Sequence, residues 1–144
     1  MQYLIAEKQV WTQQADAVIS VAPAANTLYP ILAATPNVQV KSVSASVTWT
    51  VQPDPLEIVI VVDGITWTYS FANPVSTTNY ILAESVVSLA ADQASQILAA
   101  TLSATTTFHR VFEGRNVAIY ARTGKTTAGT VSNLTARVKY ARIP

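Results

Sequence analysis

Between residues 56 and 72 the chain reads Leu-Glu-Ile-Val-Ile-Val-Val, then Asp63-Gly64, then Ile-Thr-Trp-Thr-Tyr-Ser-Phe-Ala. Two β-rich runs joined by Asp-Gly predict a hairpin closed by a type I′ turn, whose two central residues both need positive φ. The second run alternates without a break. Ile65, Trp67, Tyr69 and Phe71 fall on one face of a strand, and Thr66, Thr68 and Ser70 on the other. An apolar face of this size requires a cover, either a second sheet or a helix.

The same reading extends along the chain. Residues 17–22 form a short β-rich run closed by Pro23, and residues 28–34 a second run that Pro30 demotes to an edge. Thr35-Pro36-Asn37 predicts a turn. Residues 38–51 place Val43, Ala45, Val47, Trp49 and Val51 opposite Ser42, Ser44, Ser46, Thr48 and Thr50. A strand of that length spans roughly 45 Å, which predicts a bend or bulge near Lys41-Ser42. Gln52-Pro53-Asp54-Pro55 then turns the chain into the hairpin, so residues 38–72 are expected to form a three-stranded meander.

After a loop over 73–79 the period changes. Leu82, Val86, Leu89, Ala90, Ala94, Ile97, Leu98 and Thr101 follow helical spacing in an Ala-, Leu- and Gln-rich context, which predicts one helix around residues 83–100. Its rival is a pair of short strands, through Ile81-Leu82 and Val86-Val87. Strand character returns at 105–112 and 115–122, with 123–129 read as a flexible loop. In the last run, 131–143, Leu134, Ala136, Val138 and Tyr140 oppose Arg137 and Lys139. About eight short strands and one helix predict a mainly β fold: one antiparallel β-sandwich domain, jelly-roll or Greek-key like, over residues 1–144. Residues 1–16 have no clean period and read as a candidate N-terminal arm.

Composition sharpens the surface. Half of the 144 residues are hydrophobic and 12% are charged, against roughly 25% charged in an average globular chain. Much of the surface is therefore Ser, Thr, Ala, Asn and Gln, as in a domain partly covered within an assembly. Charge is also uneven. From residue 110 onward Arg110, Arg115, Arg122, Lys125, Arg137, Lys139 and Arg142 stand against Glu113, a balance of +6. Residues 1–109 carry Lys8 and Lys41 against seven acids, a balance of −5. Such a chain can dock on an acidic partner or on copies of itself, unless the charges mix once the strands interleave. No cysteine is present, so disulfides and thiolate metal sites are excluded. No signal-peptide pattern or bilayer-length apolar run is read, and an intracellular product with no membrane association is expected.

Candidate chemistry is thin. Gly124-Lys125-Thr126 matches the end of a phosphate loop, but the earlier glycine such a loop requires is Ile119. His109 is the sole histidine and has no nucleophile elbow or metal partners around it. Asp54, Glu57 and Asp63 read as turn and edge-strand solubility residues rather than as a carboxylate pair. Tyr120 and Tyr140 beside Arg122, Lys139 and Arg142 would suit single-stranded nucleic acid, yet a pI near 8.0 falls short of a dedicated binder. Trp49 and Trp67 read as core, leaving Trp11 as the candidate exposed aromatic. The sequon Asn133-Leu134-Thr135 says little without a secretory signal. No enzyme activity, cofactor, metal or nucleic acid is expected.

Taken whole, the chain resembles the small virion structural proteins of tailed bacteriophages, of the head-decoration or cement type. The resemblance lies in the missing cysteine, the Thr-, Ser-, Ala- and Val-rich strands, the low charge and the last strand, Leu134-Thr-Ala-Arg-Val-Lys-Tyr-Ala-Arg-Ile143. It implies a β-rich subunit on the capsid exterior, made in the host cytoplasm and often trimeric at local threefold positions. Its partners would be the major capsid protein, other virion subunits and copies of itself. Tyr3, Leu4, Trp11, Arg137, Lys139 and Arg142 are the expected interface residues. The alternative is a carbohydrate- or receptor-binding β-sandwich module, which an exposed aromatic beside polar loops would favour.

Overall fold

The computed structural model describes residues 14–83, 105–108 and 110–142. They form eight strands: β1 (Gln14–Val21), β2 (Tyr29–Val51), β3 (Asp54–Val62), β4 (Ile65–Phe71), β5 (Tyr80–Ala83), β6 (Thr105–Thr107), β7 (Glu113–Thr127) and β8 (Thr130–Arg142). All belong to one sheet, ordered β1-β8-β2-β7-β3-β4, with β5 on β2 and β6 beside β5. Each pairing is antiparallel except that of β5 with β6.

The 23-residue β2 organises the sheet. Val38 and Gln39 pair with β7 and β8 at once, so those strands occupy opposite edges of β2. Beyond Val40, β5 succeeds β7 on its edge, against Ser42 to Ala45. β2 is thus shared by two wings, β1-β8-β2-β5-β6 and β2-β7-β3-β4. The bulge predicted near Lys41-Ser42 is present, as a register shift between Val40 and Ser42. The turn predicted at Thr35-Pro36-Asn37 is not a reversal. The strand runs through it in unbroken register with β7, after a shift between Leu32 and Thr35, and Asn37 takes the left-handed conformation, φ 54°, which asparagine tolerates.

The wings curl towards each other. β5 lies on the same edge of β2 as β7, but Tyr80 pairs with Ala45, whereas register carries Phe71 through Leu56 and Thr123 to the Tyr29 end of β2, roughly 50 Å away if the sheet were flat. Yet the rings of Phe71 and Tyr80 lie 5.0 Å apart. Between the wings Val43, Val47, Leu134 and Val138 are buried with Leu56, Ile58, Ile60, Val117 and Ile119. Tyr80 is buried as well, and its hydroxyl accepts the Val75 N–H at 2.8 Å, pinning the 72–79 connection.

The β3–β4 hairpin forms as predicted. Asp63 and Gly64 have φ of 49° and 84°, and the register runs unbroken from Val62↔Ile65 to Leu56↔Phe71. The expected meander does not form, because β7 lies between β2 and β3. The cover over β4 is neither a second sheet nor a helix of the described residues. It includes Phe108 and Phe112 from the stretch between β6 and β7, whose rings meet Trp67 and Tyr69. No helix is seen among the described residues, and of the predicted one only its first residue falls among them. Ala83, its expected first residue, ends β5 because Tyr80 to Ala83 pair with β2, and tertiary pairing outweighs helix propensity. Residues 84–104 lie outside those described. β1 similarly absorbs residues 14–16 of the expected arm, with Asp16 opposite Lys139.

The predicted 123–129 loop is mostly strand, since β7 continues to Thr127 through a bulge around Gly124, φ 74°. Gly129, φ 62°, closes the turn into β8, and a Cβ there would stand 2.5 Å from the Val51 carbonyl oxygen and 2.6 Å from the Pro53 nitrogen. Gly129→Ala therefore combines left-handed strain with a backbone clash, and is expected to cost about 2–4 kcal/mol in urea unfolding. Gly64→Ala meets nothing within 4 Å and should cost only the strain, about 1–2 kcal/mol.

Candidate interaction surfaces

Strand alternation places the predicted cations of β8. Arg137 and Lys139 are exposed between the buried Ala136 and Val138, and Arg142 is exposed at the end of the strand. Register then surrounds them. Arg137 lies between Val18 of β1 and Ser44 of β2, Lys139 between Asp16 and Ser42, and Thr135 between Ser20 and Ser46. An open groove of about 390 Å3 crosses this face, lined by Val18, Ser44, Ser46, Thr77, Asn79, Thr135, Ala136 and Arg137. Chemically it offers hydroxyls and an amide around one guanidinium, which suits carboxylates or carbonyls of a polar partner. Tyr3, Leu4 and Trp11 lie outside the described residues, as does His109.

A second surface lies at the hairpin end of β3 and β4. Ile65 is 60% exposed and Val111 62%. They border a hollow of about 200 Å3 with Val62, Trp67, Arg110 and Phe112. The Arg110 guanidinium sits 4.4 Å from the centre of the Trp67 ring, so a cation–π contact occupies that face. The rim acids are engaged. Asp63 Oδ1 accepts the Asn116 N–H at 2.9 Å, and Glu113 Oε1 accepts from Gln39 Nε2 at 2.8 Å. Trp49 is half-buried, and its indole N–H donates to the Pro74 carbonyl at 2.9 Å. Both tryptophans pack against the core, as predicted.

Glu57 departs from the sequence reading. β3 lies between β7 and β4, and Glu57 is 5% exposed rather than a solubility residue. Register sets it opposite Arg122. Arg122 Nε donates to Glu57 Oε1 at 2.7 Å, and Nη2 lies 2.6 Å from the same oxygen. Arg122 is thereby committed inside the fold rather than to a nucleic-acid platform. The available signal was an acid and a base, each a single charge within a strand run, but they are 65 residues apart. Gly124-Lys125-Thr126 sits within β7, followed by a turn and β8. Among the described residues no group of three His, Asp or Glu side chains could hold a metal ion. The sequon residue Asn133 is half-buried in β8 and donates to its own Thr135 hydroxyl at 2.8 Å.

The six-strand path of the sheet ends at β1 and β4, and the branch through β5 ends at β6; none of the three pairs on its outer side among the described residues. β1 presents Asp16, Val18 (52% exposed) and Ser20, and β4 presents Thr66, Thr68 and Ser70. No family model matches the chain, and comparison with curated proteins and with solved structures finds no match.

Proposed function

We propose that this chain is a structural assembly protein that works through its surfaces, as a decoration or cement subunit on the exterior of a phage head. The observation that carries the reading is the pair of sheet edges, β1 and β4, left open among the described residues at the two ends of the six-strand path. Open edges admit β-augmentation by neighbouring chains. The Arg137–Lys139 face beside β1 adds a polar surface that complements an acidic neighbour. A subunit repeated many times over a shell needs each contact to be only modest, because multivalency multiplies them. The two wings sharing β2 are read as the layers of a β-sandwich, with the facing buried rows in support.

The alternative, a carbohydrate- or receptor-binding module, has the open, hydroxyl-lined groove beside Arg137 in its favour. Light scattering over a dilution series tests the assembly reading. A mass that is a multiple of 15.4 kDa supports it, the trimer implied by the resemblance included. A strict monomer at every concentration overturns self-assembly and leaves only a monomeric clamp on the shell.

A further inference from the structure

The two edges differ in how they are defended. Natural edge strands avoid unwanted pairing with charge, proline, bulges or shortness. β1 carries Asp16 on its exposed face. β4 carries no charge and no proline, and its register with β3 has no bulge over seven residues.

Pairing geometry shows which backbone groups β4 offers. A two-residue hairpin makes Val62 and Ile65 a hydrogen-bonded pair, and such pairs alternate along an antiparallel ladder. The backbone groups of Ile65, Trp67, Tyr69 and Phe71 are therefore turned to β3. Those of Thr66, Thr68 and Ser70 are turned outward. These three residues are exposed and make no further hydrogen bond among the described residues.

We infer that β4 is a self-pairing edge, which joins β4 of a second copy of this chain in antiparallel register about a two-fold axis at Thr68. In that register Thr68 faces its own copy, and Thr66 faces the second copy's Ser70. Every outward backbone donor and acceptor of the three residues then finds a partner. The side chains match at the same time. Trp67 lies opposite the second copy's Tyr69 and Ile65 opposite its Phe71, aromatic and apolar pairs of the kind that stabilise sheets. Hydroxyls meet hydroxyls on the other face. A slip of one residue would set outward backbone groups against inward ones and reverse the faces. A slip of two would leave Ser70 or Thr66 unpaired.

The inference rests on the assembly reading, and it adds a two-fold contact that a threefold ring does not provide. The edge is about 23 Å long, so the pairing covers less area than a stable dimer interface of roughly 1,200 Å2 or more. Ile65 and Val111, both exposed beside the edge, enlarge the contact. The pairing is accordingly concentration-dependent in solution and gains strength within a multivalent array.

The test exploits the axis. In the full chain, Thr68→Lys and Thr68→Glu are each made and measured by sedimentation velocity over a dilution series, alone and as an equimolar mixture. A like charge meets itself at the axis in either variant, so each alone should self-associate at least about tenfold more weakly than wild type. The mixture sets Lys against Glu and should restore association. Recovery in the mixture also shows that both variants are folded. Thr50→Lys, at an exposed position on β2, should leave association unchanged. If wild type, both single variants and the mixture share one oligomeric mass, the β4 contact is overturned and the assembly reading stands. Weakening without recovery in the mixture overturns the two-fold register at Thr68. A wild-type chain that is monomeric throughout overturns the β4 contact and self-assembly together.

Discussion

Phe112→Ala should lower stability by about 3–5 kcal/mol, the range for emptying a large aromatic site in a packed core. The residue is 1% exposed. Its ring meets Trp67 at 5.8 Å and 69°, Tyr69 at 6.2 Å and 80°, and Phe108 at 5.1 Å and 82°. These are edge-to-face contacts, each adding to the area already buried. Its carbonyl also accepts the Val40 N–H at 2.8 Å, so Phe112 ties the inner face of β4 to the bend of β2. Alanine keeps the backbone bond but leaves a void that three rings cannot readily fill. Urea unfolding would show a large drop in midpoint with little change in slope. Phe112→Leu, which keeps most of the volume, should cost about 1–2 kcal/mol. A loss below 1 kcal/mol for the alanine variant would mean that the aromatic cluster does not hold the wings together.

Arg122→Met is the second large expectation, with a loss of about 3 kcal/mol. The guanidinium is the ion-pair partner of Glu57, whose side chain is 6% exposed while that of Arg122 is 19% exposed. Removing the cation leaves a carboxylate desolvated and uncompensated, which typically costs 3–5 kcal/mol. The remaining exposure of Arg122 places the effect at the low end of that range. The double variant Glu57→Gln/Arg122→Met removes both charges and should recover most of the loss, because a buried ion pair often gives little net stability over neutral packing. A double-mutant cycle in urea measures this. Recovery would show that the pair matters through the cost of breaking it. A double variant as unstable as the single one would assign it a real share of the stability.

Those two sites also mark where sequence reasoning reached and where it stopped. The alternation of Ile65, Trp67, Tyr69 and Phe71 correctly demanded a cover. It could not say that Phe108 and Phe112 would supply it, because a strand's period specifies a face and not its neighbour. Glu57 and Arg122 were both visible as single charges within strand runs. Their pairing depended on β7 lying beside β3, a neighbour relation set by contacts distant in sequence. The candidate surface was half legible. Alternation alone exposed Arg137 and Lys139, whereas Val18 and Ser44 join Arg137 only through the register of β1 and β2 on β8. The edge character of β4 was hidden for the same reason, since its alternation gives two faces but not which strand lies beside it.

What the sequence by itself determined is local. Asp63-Gly64 set the hairpin because both residues accept positive φ. The two-residue period set which face of β2, β4 and β8 turns to the core, although Val51 and Ile65 at the strand ends stay exposed. The length of the β2 run required the bulge at Lys41, and the absence of cysteine ruled out disulfides. The tertiary structure decided the rest. It made the stretch around Thr35-Pro36-Asn37 part of one long strand and gave Ala83 to β5 rather than to a helix. It placed β7 between β2 and β3 and left β1 and β4 at the open ends. The physical reason is that turn chemistry and side-chain alternation act over a few residues. Strand order is chosen by which long-range pairings bury the most apolar surface while satisfying every backbone group, and that choice belongs to the whole chain.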